Sequence, residues 1–247
     1  MKKEKRNSII VVHEGDRELY FLEHISQFSD VRLNPQHCHG GSGTNVLNTA
    51  FKYSDYGQVT FAFFDEDFQF VAPLQIDEET LAALERRWRL SEGTLKDVKY
   101  TDLQAQNTDG RNPILIVSSP NSIEGLILRL IGISEKALRG KTTRKLKEML
   151  DAEIATIELT EEDLNYIDVC ENKIHRYLLA KAELTKDAPC YKQRLKSIDS
   201  KIDETKKQKH KIVFKRFLNT KVGRDVLIAN IDQIPAVKLL LDAFGVC

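Results

Sequence analysis

The chain has 247 residues, 41% hydrophobic and 30% charged, with 37 Lys+Arg balanced by 37 Asp+Glu. That apolar fraction supports a real core and excludes a wholly disordered chain, and the length accommodates one large domain or two small ones. No apolar run reaches the roughly 18 residues of a membrane span, and residues 9–12 are too short for the apolar heart of a secretion signal, so a cytoplasmic protein away from membranes is expected.

Four cysteines, Cys38, Cys170, Cys190 and Cys247, form no CxxC pair, and disulfides are not expected in a reducing compartment. Cys38 lies between His37 and His39, but three successive side chains rarely converge on one ion, so zinc is not expected there. The neutral total conceals blocks of charge. Residues 151–170 carry seven acids and no Lys or Arg, residues 136–147 six bases and no acid, and residues 171–224 sixteen Lys/Arg against six Asp/Glu. Charge separated in this way can still present a basic face to a polyanion.

In chain order, residues 8–12 (SIIVV) predict a short buried strand and residues 17–28 a helix with Leu19, Leu22 and Ile25 on one face. Residues 30–34 predict a second strand. Residues 39–45 form a glycine-rich loop, and residues 46–53 read as a helix. Residues 58–64 (QVTFAFF) are the strongest strand signal. An amphipathic helix follows at 78–90 with Leu81, Leu84 and Trp88, then a strand at 113–117 and a very apolar helix at 123–131. Strands separated by helices imply a largely parallel α/β sheet over residues 1–133. From 134 to 247 the pattern turns helical and charged. TEED at 160–163 resembles a capping box opening a helix to about residue 184. Beyond Pro189, residues 191–218 read as one long helix with a thin apolar stripe, fitting a coiled-coil hairpin or projecting lobe. Residues 226–244 are apolar again and are expected to pack back onto a core.

In an open parallel sheet, ligands gather at the carboxyl ends of the strands. Glu14 and Gly15 follow the first strand, and Asp65, Glu66 and Asp67 follow the third. In extended backbone Asp65 and Asp67 point the same way. Two carboxylates so placed repel unless a cation neutralises them, and hard oxygen ligands suit Mg²⁺, with Mn²⁺ as a substitute. The alternative is a solvated acidic turn capping the next helix. Glu124, in the first turn of the helix after the fourth strand, is a further acid at this edge, read equally as a dipole-favoured helix-start residue. The glycine-rich loop could cradle phosphate at a helix N-terminus, but lacks both the Walker A lysine and the full dinucleotide fingerprint.

Four segments in order resemble a known family. HEGDRELYF at 13–21, the GGSG loop at 40–43, FFDED at 63–67 and SPNSIEGLIL at 119–128 are similar to the EG…E..YF, glycine-serine, FDxD and SNPxFExWLL motifs of RloB-like proteins of the Toprim superfamily. The resemblance covers roughly residues 8–130. This chain has His13 where the family has Cys, Ile123 where it has an aromatic, and Gly125-Leu126 in place of its Trp. The resemblance implies a Toprim-like Rossmannoid sheet, followed here by a mainly α-helical C-terminal half with no matching motif. It also implies Mg²⁺ chemistry on phosphodiester bonds, with Glu14 as general acid/base or metal ligand, Asp65 and Asp67 as metal ligands, and Glu124 as an additional acid.

The expected activity is a Mg²⁺-dependent nuclease acting on DNA or RNA, tRNA among them, in a bacterial antiviral or restriction-associated defence system. With no obvious catalytic Tyr, gate domain or zinc ribbon, hydrolysis is the simplest reaction left. Arg139, Lys141, Arg144 and Lys145 are candidate phosphate contacts that would not read sequence, or else a solvated helix face. The competing reading is a catalytically silent adaptor that binds nucleic acid or a partner ATPase. A partner-activated toxin lies between the two, and a small-molecule phosphotransferase using the glycine-rich loop is a third. A homodimer is expected from the apolar stripe and tail.

Overall fold

The computed structural model describes residues 8–38, 43–56, 58–65, 82 and 113–246. The apolar, β-rich runs form β1 (Ser8–His13), β2 (Arg32–His37), β3 (Thr60–Asp65) and β4 (Ile114–Ser118). Among the described residues these make one sheet in the order β2-β1-β3-β4 with every pairing parallel. Strands buried on both faces read as continuous apolar runs, and after Ser8 every residue of β1 is buried. At the edge of the described sheet, β2 alternates exposed and half-buried positions. It lies later than the expected 30–34 and runs through Pro35, which an edge strand tolerates because the missing N–H can face away from the ladder.

The helices in chain order are α1 (Asp16–Ser26), α2 (Gly43–Asp55), α3 (Ile123–Leu130), α4 (Glu135–Leu138), α5 (Thr143–Ile154), α6 (Glu161–Ala182), α7 (Tyr191–Lys221), α8 (Arg224–Ala229) and α9 (Pro235–Phe244). The α/β class with a helical C-terminal part is therefore present. The apolar stretch at 226–244 is two helices, because Pro235 opens α9 at its first position, where its fixed φ suits a helix start. The expected helix at 78–90, with Leu81, Leu84 and Trp88, lies outside the described residues apart from residue 82.

Two compact units divide the chain at places other than 133/134: one is Met1–Asp151 with Lys221–Cys247, the other Ala152–Thr220. The difference has a packing cause. Leu126, Leu138, Leu146 and Leu150 are fully buried, so α3 to α5 belong with the sheet. In the same unit α9 packs against β4 and α1. The side chains of His24 and Arg224 bond the carbonyls of Val222 and Val246, holding the returning segment.

The second unit is an antiparallel pairing of α6 and α7. Ion pairs Asp163–Arg216, Glu171–Lys209 and Lys181–Asp199 run in opposite directions along the two helices. The capping box expected at 160–163 is formed: Thr160 Oγ1 accepts from the Asp163 amide, and the Asp163 carboxylate accepts from the Thr160 amide at 3.0 Å.

One glycine is fixed by close approach. A Cβ on Gly125 in α3 would fall 2.0 Å from the Pro120 carbonyl oxygen. Backbone cannot yield as a flexible side chain does, so Gly125→Ala is expected to destabilise by about 1–3 kcal/mol through overpacking. Denaturant unfolding of the variant checks this; an unchanged midpoint would show that the loop moves freely.

Candidate metal and phosphodiester site

The chain leaves β1 toward β2 on one side, whereas β3 lies on the other side of β1. The carboxyl ends of β1 and β3 therefore flank a switch in strand order, the place where open α/β sheets bind ligands. Glu14 is the first residue past β1 and Asp65 the last of β3.

Asp65 is held from two directions. Its Oδ1 accepts the Ser118 hydroxyl at 2.5 Å and the Ile123 amide at 2.8 Å. Ser118 ends β4 and Ile123 opens α3, so one oxygen links two strand ends and satisfies an amide that a helix start leaves without an intrahelical partner. The Ser122 side chain, at the N-cap position, makes no such bond. Asp65 thus caps α3, across the sheet, whereas the helix expected next in the chain, which the capping alternative concerned, lies outside the described residues.

Glu124, the next residue of α3, is buried. Its Oε1 accepts from Arg17 Nη1 at 2.9 Å, and Arg17 Nη2 bonds Asp151 Oδ1 at 2.5 Å. Glu124 Oε2 is buried with no hydrogen-bond partner among the described residues. An ionised oxygen in that position is costly unless a cation or donor reaches it.

Glu18 completes the cluster. Burial pushes its carboxyl up to about 7; the charges of Glu124 and Glu14 push the same way, and Arg17 opposes them. The structure therefore brings Glu14, Glu18 and Glu124 together around Arg17, with Asp65 bonded to the residue preceding Glu124. Sequence reasoning gave no role to Glu18 or Arg17. The available signal was spacing: Glu14 and Glu18 are four apart across the turn into α1, one helical turn. Asp67 and the loop at 39–42 lie outside the described residues.

His13 stands where the resembling family carries Cys. It is buried, its Nδ1 lies 3.0 Å from the Gly15 carbonyl, and its ring meets His37 edge-on with centroids 5.5 Å apart. Burial pushes it down to about 4, so it is neutral at pH 7 and donates through Nδ1. Among the described residues no three His, Cys, Asp or Glu side chains form a preassembled metal cage.

Of the basic candidates Arg139, Arg144 and Lys145 are exposed and Lys141 is half-buried. Arg139 bonds Glu135 at 2.7 Å, and Arg144 and Lys145 bond Glu148 at 3.3 and 3.2 Å. The Lys141 carbonyl accepts from the Asn121 side chain, tying this basic turn to the loop that precedes Glu124. No helix among the described residues is long and apolar enough to cross a membrane.

Comparison with protein-family models, with curated proteins and with solved structures finds no match.

Folded Glu18 holds its proton above its ordinary value of 4.5, so its ionisation costs stability as pH rises from 4.5 to about 7. Glu18→Gln is expected to match wild type below pH 4.5 and to exceed it at pH 8, with Tm gaining about 2–4 °C per kcal/mol. Calorimetry in EDTA at both pH values measures this; a lower Tm at pH 8 would show that the Glu18 charge is not penalised.

Proposed function

We propose that this chain is a metal-dependent nuclease with a Toprim-like site. The observation that carries the reading is the buried, unpartnered Oε2 of Glu124 among Glu14 and Glu18, beside Asp65 at the switch in strand order. Acids crowded at a strand edge are stable as anions only with a counter-charge. The donors fit Mg²⁺ or Mn²⁺: all are hard oxygens, and Mg²⁺ needs only one or two carboxylates, keeping waters and substrate phosphates for the rest.

Glu124 and Asp65 would hold the ion, with Asp67 as a further ligand from the DxD pattern. When bound, such an ion polarises a phosphoryl oxygen and lowers the pKa of a ligated water. The chain's own part is positioning and proton transfer. Ser118 and the Ile123 amide fix Asp65, Arg17 orients Glu124, and Glu14 would take the proton of the attacking water and return one to the leaving oxygen. The resemblance to RloB-like proteins supports an effector role in antiviral defence. The basic turn around Lys141, bonded to the loop before Glu124, supports a nucleic-acid substrate held by its phosphates.

The adaptor reading has one observation in its favour: Asp65 caps α3, a role that needs no metal. Cleavage of plasmid DNA, single-stranded DNA and total tRNA with Mg²⁺, Mn²⁺ or EDTA separates the two. Metal-dependent cutting that falls about 100-fold or more in Asp65→Asn and Glu124→Gln supports the nuclease. Asn at 65 keeps an acceptor for the cap, so the fold persists. Equal cutting by wild type and variants would refute the site. No cutting of any substrate, with no toxicity on expression, would leave the adaptor.

A further inference from the structure

The geometry around Arg17 carries a consequence for how the site changes on loading, and it rests on the metal reading above. Arg17, Glu124 and Asp151 come from three helices, α1, α3 and α5. The guanidinium is almost fully buried and bonds one carboxylate with each terminal nitrogen, Glu124 at 2.9 Å and Asp151 at 2.5 Å. The two carboxylates differ in setting. The Glu124 side chain is 8% exposed and the Asp151 side chain 47%. Glu124 also has a second oxygen that is buried without a partner, whereas Asp151 faces solvent that can complete its shell.

We propose that Arg17 is a resident counter-ion, which a divalent cation displaces from Glu124 while Asp151 retains it. Without metal, the guanidinium supplies the counter-charge to the buried Glu124 carboxylate, 2.9 Å away. A divalent cation brings twice that charge to the same carboxylate, and its field opposes the guanidinium. Arg17 then gives up its Nη1 bond and keeps its Nη2 bond. Its planar fork presents each bond on a separate nitrogen, so one can be released while the other is kept. Asp151 in this account is a positioning residue that acts through Arg17.

The test is Mn²⁺ binding by isothermal titration calorimetry and by paramagnetic resonance, on the full chain without substrate. Arg17→Gln removes the competitor and is expected to lower the Mn²⁺ Kd about 10-fold. Asp151→Asn removes the acceptor that retains Arg17 and is expected to raise the Kd about 10-fold. The Asp151→Asn effect should vanish in the Arg17→Gln background, because it acts through Arg17. Should Arg17→Gln not fold, Asp151→Asn beside Arg17→Lys decides: the compact ammonium lacks the two separate nitrogens that let one bond be released while the other is kept, so the Asp151→Asn shift should shrink in the Lys background. Equal shifts in both backgrounds, shifts of the same sign, or no shift with wild type still binding would overturn the proposal alone. No Mn²⁺ binding to wild type would overturn it through the metal reading.

Discussion

One carboxylate oxygen fixes the edge of the sheet on which the site is built. Asp65 Oδ1 accepts from a hydroxyl at the end of β4 and an amide at the start of α3. Those bonds set where α3 begins, and Glu124 is its second residue, so the position of one acid determines that of another. The loop between is drawn tight enough that Gly125 packs directly on the Pro120 carbonyl. Asn121 adopts a left-handed conformation there, φ 63°, which Asn accepts more readily than most residues. Its side chain then reaches the Lys141 carbonyl. Cap, loop and basic turn thus form one continuous set of contacts around the strand ends.

The same edge holds charge at a cost. On the surface, Glu148 sits beside the basic partners Arg144 and Lys145. At the strand ends the acids are drawn inside, and Glu18 is shifted to about 7 by burial and by its acidic neighbours. A fold selected for stability alone would place apolar residues in such positions. A buried carboxyl with a displaced titration, as at Glu18, marks a candidate functional site, and Arg17 supplies counter-charge to the buried Glu124 beside it.

Much of this edge was legible in the sequence. β1, β3 and β4 appear as apolar β-branched or aromatic runs, and such runs in a parallel sheet place the residues that follow them at the ligand-binding edge. Glu14, Asp65 and Glu124 follow from that rule. Arg17 and Glu18 did not, because their importance lies in contacts across the fold: Arg17 meets Glu124 and Asp151 at separations of 107 and 134 residues. No local periodicity reports such a pairing. The unit boundaries were hidden for a related reason. The helical pattern of α3 to α5 shows an apolar face but not what covers it, and the buried leucines of those helices assign them to the unit that contains the sheet. The position of β2 depended on Pro35, which signals a break locally yet is harmless where a strand has a free side.

Charge geography gives the metal reading a further reason. The bases of residues 136–147 lie on the surface, partly offset by Glu135 and Glu148, and the turn they share is bonded to the loop before Glu124. Their field extends about 8–10 Å at physiological salt, and on the nuclease reading it would draw a polyanion to this side of the sheet. There it would meet Glu14, Glu18, Glu124 and Asp65, whose charges repel phosphate. Arg17 cannot relieve this, because its guanidinium is committed to Glu124 and Asp151. On this reading, a phosphodiester would reach these acids once a cation had reversed the local sign. On the nuclease reading, the divalent ion is then a condition for substrate entry as well as for hydrolysis. On that reading the basic turn and the acidic edge would act in sequence, the first by attraction at a distance and the second by binding through the ion.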